Sequence, residues 1–170
     1  MKKNQQLVAA IIFFITISGC MVHSVQSSEK KFRGMWKLDQ FQVQDSTTKN
    51  WKPDPARIGY SGYILYDGLG NMAVQQFPPG YHDFDINKNL DSLGIEAIKK
   101  IARLYRYAYA YIGNYEISKT TITHKKLSAT SPKDWGTIVK RDFKFSGDTL
   151  ILTTQEKVKG ASLVIRWVKF

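Results

Sequence analysis

From Phe32 to Phe170 the chain reads as short apolar segments cut at regular intervals by turn chemistry, and this rhythm limits its fold more than any other feature. Arg33 to Gln44, Ile58 to Tyr66 and Met72 to Phe77 form one group of segments. Tyr107 to Ser118, Thr120 to Thr130, Trp135 to Phe145, Thr149 to Gln155 and Ser162 to Phe170 form another. Asp67-Gly68-Leu69-Gly70-Asn71 and Ser146-Gly147-Asp148 lie between apolar runs and tolerate the positive φ that hairpin turns need. Pro78-Pro79-Gly80 stops the third segment, since proline cannot donate to a ladder. Between the two groups, Leu90, Leu93, Ala97, Ile98, Ile101, Ala102, Leu104 and Tyr105 recur at helical spacing. This predicts a helix over Leu90 to Tyr107, with Asp91 or Ser92 placed to cap it. Lys99, Lys100, Arg103 and Arg106 fall on or near its other face, which suits either solvent or acidic lipid. About eight evenly spaced strands, with one helix between the third and fourth, predict an all-β fold: an antiparallel up-and-down barrel. Such a barrel has an interior just wide enough for packed side chains or one small ligand.

The N-terminus follows a different rule. Lys2 and Lys3 precede the apolar run Leu7 to Ile17, which is too short to span a membrane and has the form of an export signal. The run ends in Ile17-Ser18-Gly19-Cys20, which resembles a bacterial lipobox and places the sequence's single cysteine where lipid would attach. The expected division is a lipoprotein signal peptide over 1–19, a flexible polar tether over 20–31 and a barrel domain over 32–170. The alternative is a plain cleavable signal with an incidental cysteine. Met21 rather than an aspartate follows Cys20; by resemblance to Gram-negative lipoproteins, that favours the outer membrane, facing the periplasm.

Composition narrows the function classes. Hydrophobic residues make up 43% of the chain, enough for a core and too many for a disordered protein. One cysteine excludes an intramolecular disulfide framework and a Cys-rich zinc site. With 25 Lys+Arg against 14 Asp+Glu the chain is strongly basic, but an exported protein is not expected to meet nucleic acid. His82-Asp83-Phe84-Asp85 has no matching ligand cluster elsewhere, so no metal is expected. Phosphate-binding glycine loops, nucleophile elbows and His-Glu-x-x-His helices are missing from the sequence, and no cofactor is expected.

The ordered motifs of the mature part resemble the bacterial lipocalin-like domain family, within the calycin group of barrels. Gly34-Met35-Trp36 is similar to the Gly-x-Trp opening of lipocalins. Tyr66-Asp67-Gly68-Leu69-Gly70-Asn71-Met72 resembles the first hairpin, and Tyr111-Ile112-Gly113-Asn114-Tyr115-Glu116 resembles the strand after the helix. His124, Pro132, Trp135-Gly136-Thr137, Arg141, Gly147-Asp148-x-Leu150-x-Leu152 and Trp167-Val168-Lys169 follow in the family's order. The resemblance implies a barrel holding a small hydrophobic or amphipathic ligand. Lipocalins often pack a last-strand arginine over the opening tryptophan. Lys169 stands at that position here, with Arg166 three residues earlier, and either is a candidate to cover Trp36.

Period-two alternation suggests which residues face inward. Val139, Arg141, Phe143 and Phe145 share a face, so Arg141 sits on the apolar side. There it needs a carboxylate such as Glu116, a hydrogen-bond cage or an anionic ligand. His124 shares a face with Ile122, Lys126 and Ser128, and is either a ligand contact or a hydrogen-bonded core histidine. Tyr109, Tyr111, Gly113, Tyr115 and Ile117 share another face, offering flat apolar surface with polar tips. Trp36 is expected to seal the closed end rather than to bind. The expected ligand-binding residues are therefore Arg141, His124, Tyr109, Tyr111 and Tyr115, and the ligand is small, hydrophobic or amphipathic, and suited to an anionic head. The alternatives are an isomerase- or cyclase-type enzyme built on His124 and a tyrosine, and a filled barrel whose exterior binds envelope partners.

Overall fold

Around the barrel each strand pairs with the one before it in the circuit, and the last returns to the first. The computed structural model describes residues 29–45, 47–83, 90–156 and 161–170. The leader and Cys20 lie outside the described residues. The strands are β1 (Gly34–Gln44), β2 (Trp51–Pro53), β3 (Ser61–Tyr66), β4 (Asn71–Phe77), β5 (Tyr109–Ile117), β6 (Thr121–Ala129), β7 (Ile138–Ser146), β8 (Thr149–Thr154) and β9 (Leu163–Lys169). The antiparallel order β1-β3-β4-β5-β6-β7-β8-β9 closes through β1–β9, giving an eight-stranded up-and-down barrel. Closure removes the two long edges that an open sheet of these eight strands would have, and the three-residue β2 stays outside the circuit. Helix α1 (Ile95–Tyr107) follows the third barrel strand, β4, as the spacing predicts.

Local boundaries differ from the expectation, as at β3, which opens at Ser61 rather than Ile58. The helix starts at Ile95 rather than Leu90. Leu90–Ser92 forms a separate 3-10 turn, and the N-cap position of α1 is taken by Gly94 rather than by Asp91 or Ser92. Glycine is a poor helix interior residue, and here it marks the boundary. The β2 segment pairs Trp51, Lys52 and Pro53 with the end of β1 outside the barrel circuit; three residues ending in proline carry too little pattern to predict. Trp135 lies beyond the 3-10 turn Pro132–Asp134 and before β7, so the predicted strand opens three residues late.

Strand direction gives the barrel two unlike ends. Hairpins β3–β4, β5–β6 and β7–β8 lie at one end, together with the start of β1. That end is filled. Phe32 closes a helical turn over residues 29–32 and is fully buried, edge-on to Tyr66, Phe143 and Phe145 at 5.1, 4.9 and 5.0 Å. Trp36 is buried beside it and donates its indole N–H to the Phe32 carbonyl at 2.7 Å. The β4–α1–β5 connection, the 3-10 turn before β7 and the β8–β9 connection gather at the opposite end.

Candidate ligand-binding site

His124 sits where the filled half of the barrel gives way to a hollow one. The alternation of β6 turns Ile122, His124 and Lys126 inward and exposes Lys125 and Leu127. The imidazole is fully buried. Its Nε2 lies 3.0 Å from the Tyr66 hydroxyl; its Nδ1 lies 2.9 Å from the Tyr111 hydroxyl and 3.1 Å from Arg141 Nη1. A guanidinium N–H can only donate, so Nδ1 accepts and the ring proton resides on Nε2, which donates to Tyr66. Burial holds the imidazole well below its ordinary pKa, and the nearby Arg141 and Lys126 charges push the same way. The ring is neutral, and both nitrogens are engaged. Burial likewise raises the pKa of Tyr66 and Tyr111, so both hydroxyls stay protonated. The result is a fixed polar shelf across the barrel.

Above the shelf lies a cavity of about 290 Å³. Its wall includes Tyr109, Tyr111, His124 and Arg141, with apolar surface from Phe41, Ile64, Val74, Leu152, Ile165 and Trp167. Arg57, Tyr60, Arg106 and Tyr107 stand toward the mouth. Arg57 is paired with Asp54. Arg141 forms no ion pair among the described residues, and Glu116 lies exposed on the outside of β5. Two buried N–H groups on the wall, Arg141 Nε and Trp167 Nε1, have no hydrogen-bond partner among the described residues. Leaving such a donor unsatisfied costs about 1–3 kcal/mol. Arg141 also borders a second cavity of about 390 Å³ alongside β7 and the end of β8.

The sequence matches the family profile of the lipocalin-like domain over residues 33–164. The chain belongs to the lipocalin-like domain family. Similar solved structures include a lipocalin-like protein from Bacteroides uniformis, at 14% identity and TM-score 0.41, covering 82% of this chain and 99% of that one. An uncharacterized protein from Bacteroides eggerthii matches at 11% identity and TM-score 0.40, covering 82% and 99%. As-p18, an extracellular fatty acid binding protein, matches at 13% identity and TM-score 0.39, covering 83% and 97%. Comparison with curated proteins returns no match.

In this lipocalin-like barrel, four of the five predicted ligand contacts meet on one cavity wall: Tyr109, Tyr111, His124 and Arg141. Tyr115 does not join them. It faces inward from β5, but near the closed end, with its ring 5.0 Å from that of Tyr66. Lys126 is a site neighbour that the sequence reading did not select. It is buried over the Tyr109 and Tyr111 rings and lies 3.5 Å from Asp134. Its place on the His124 face was the available signal. Tyr66, Arg57, Arg106 and Trp167 also escaped selection, because strand partners and the helix-to-mouth geometry bring them in from distant sequence. Among the described residues no group of three His, Cys, Asp and Glu side chains is placed to hold a metal.

The lipocalin-like closed end also settles which cation covers Trp36. Lys169 Nζ lies 4.2 Å from the indole centroid and donates to the Arg33 carbonyl. Arg166 points elsewhere, 3.1 Å from Asp39 at the irregularity that shifts the β1–β9 register between Leu38 and Gln40.

Proposed function

We propose that this protein binds a small amphipathic ligand with an anionic head, seated against Arg141 and His124 above the polar shelf. The observation that carries this reading is the Arg141 guanidinium on the cavity wall, without a carboxylate among the described residues and with its buried Nε–H unpartnered. An anionic oxygen there would satisfy that donor and neutralise a cation held in a poorly solvated place. Tyr109, Tyr111 and the aliphatic wall suit the apolar part, and the cavity is at the lower end of ordinary ligand pockets of about 300–1,000 Å³. That size favours a compact molecule. The name of As-p18 as a fatty acid binding protein is consistent with this class of ligand.

Native mass spectrometry of the gently purified protein is expected to show a bound small molecule. An anionic fluorophore, anilinonaphthalene sulfonate, should bind at one saturable site and be displaced by medium-chain carboxylates but not by the matching alcohols. Equal displacement by acids and alcohols would remove the anionic head from the proposal. Absence of both a co-purified ligand and probe binding would overturn it.

We further propose that the mature protein is a lipoprotein of the bacterial cell envelope, anchored through Cys20, on the outer membrane facing the periplasm. Ile17-Ser18-Gly19-Cys20 supports this reading. Cys20→Ser should release the protein from the membrane fraction or leave it unprocessed. Unchanged membrane retention with a cleaved signal would refute anchoring by lipid.

A further inference from the structure

We propose that the open rim of the barrel is a docking surface for an anionic lipid bilayer, separate from any lipid on Cys20 and independent of what the cavity holds. The argument begins with α1, which has no buried residue along its length. Ala97, Ile101 and Leu104 are half-buried and form the stripe turned toward the barrel. A second apolar stripe, Ile95, Ile98 and Ala102, runs at the i, i+3, i+7 spacing of one helix face and is exposed; Tyr105, next along that face, packs edge-on against Tyr81 at 5.8 Å. The barrel therefore covers only part of the apolar surface that the helix carries. Lys99 and Arg106 border the exposed stripe, and Arg103 lies one helical turn beyond Lys99. Lys99 pairs with Glu96 at the surface, whereas Arg103 and Arg106 form no ion pair among the described residues.

The helix is not alone in this. Ile58 ends the 3-10 turn before β3, Trp135 ends the turn before β7, and Ile138 opens β7, so chain direction puts all three at the same end as α1. Ile58, Ile95, Trp135 and Ile138 are 66, 64, 59 and 59% exposed. Leu69 and Phe170 are exposed at the closed end as well, at 86 and 70%, but the rim adds to its exposed side chains the apolar stripe of a helix, and a patch of that kind marks a contact surface. An exposed apolar stripe flanked by cations, with a tryptophan at the same end of the barrel, has the chemistry of an interfacial helix that lies in the headgroup region. No helix among the described residues is long and apolar enough to cross a membrane, so the contact is peripheral. Arg106 and Tyr107 belong both to α1 and to the cavity mouth, so docking would set the mouth against the lipid and let an amphipathic ligand enter without crossing water.

The test uses the full chain carrying Cys20→Ser, which removes the lipid attachment site and the single native thiol. An environment-sensitive fluorophore is attached through Ile98→Cys on the rim or, as a control, Leu69→Cys at the closed end. With phosphatidylglycerol vesicles the rim label should brighten and shift to the blue while the Leu69 label stays unchanged. Phosphatidylcholine vesicles should give neither response. Lys99→Gln with Arg103→Gln, which leave the cavity wall untouched, should weaken partitioning about thirtyfold, at the usual worth of two cations near an anionic surface. If Ile98→Cys does not fold, Ala102→Cys reads the same stripe. Equal responses from both labels would assign binding to the leader and overturn the proposal. So would a silent rim label, or partitioning unaffected by the two glutamines. A rim response that grows with protein concentration in the absence of vesicles would identify a second copy as the occupant and likewise overturn it.

Discussion

Arg141 Nη1 lies 3.1 Å from His124 Nδ1, and this contact ties the charge of one side chain to the protonation of the other. Because the guanidinium can only donate, the imidazole offers it a lone pair and stays neutral. Arg141 therefore gains a hydrogen bond without gaining a counter-charge, and its positive charge remains available on the cavity wall. A carboxylate in place of His124 would have neutralised that charge.

Arg141→Leu is accordingly expected to weaken binding of anilinonaphthalene sulfonate by about ten- to a hundredfold, the worth of one charge-assisted hydrogen bond of roughly 1.5–3 kcal/mol. The fold should survive, since the half-buried Arg141 holds no ion pair among the described residues. Arg141→Lys should restore binding poorly, because a point charge does not reproduce the planar fork. Melting temperature and probe affinity measured on the same variants separate a binding role from a structural one. Intact affinity in folded Arg141→Leu would exclude Arg141 from the site.

His124 makes stability depend on pH in a stated direction. Its folded-state pKa lies well below the ordinary 6.5 because burial, then Arg141 and Lys126, disfavour the imidazolium. Between those two values the unfolded chain binds more protons at this residue than the folded one, so stability rises with pH. The contribution is fully present above about pH 6.5 and is lost as pH falls toward the depressed folded value, at up to about 1.4 kcal/mol per pH unit. His124→Gln keeps a donor and an acceptor but does not titrate. Urea titrations at pH 7.5 and 5.5 should show the wild-type protein losing stability relative to the glutamine variant. A constant difference across that range would show that the ring is not buried neutral.

The barrel was legible in the sequence because its determinants are local. Asp67 to Asn71 and Ser146 to Asp148 carry hairpin chemistry, and Arg141 among Val139, Phe143 and Phe145 declares its face by alternation alone. The helix was legible in its body, but Gly94 moved its start. The site was legible only in part. Tyr111, His124 and Arg141 each announced an inward side chain, yet their meeting depends on the β5–β6 and β6–β7 registers, which no single strand encodes. Tyr115 shares a face with Tyr111, and alternation assigns a face without assigning a depth. Four residues along β5 separate the cavity wall from the filled end.

Gly113 carries a constraint imposed by the neighbouring strand. A Cβ there would lie 2.1 Å from the Lys125 carbonyl oxygen, where the β5–β6 register shifts between Ile112 and Gly113. The obstacle is backbone, so no rotamer change relieves it. Gly113→Ala should cost about 1–3 kcal/mol, as overpacking does, through distortion of the ladder that carries both Tyr111 and His124. The same variant should lose probe affinity at temperatures where it remains folded. Unchanged urea midpoint and affinity would show that the two strands are less closely apposed.

Trp36 and Lys169 provide the last prediction, at the end of the barrel away from the site. Trp36 is almost fully buried, donates to Phe32, and carries Lys169 Nζ 4.2 Å from its ring centroid. Trp36→Ala should destabilise the domain by about 3–5 kcal/mol, through lost burial and the cavity left behind. Lys169→Met removes both the cation over the ring and the bond to the Arg33 carbonyl, and should cost on the order of 1–2 kcal/mol. Because the two side chains share one contact, the double variant should lose less than the sum of the singles, by about 0.5–1 kcal/mol. Lys169→Arg should retain most of the stability, since a planar guanidinium can stack on the indole. Denaturant unfolding of the four proteins measures the coupling. Strict additivity would show that Lys169 contributes through the Arg33 carbonyl alone, with no attraction to the Trp36 ring.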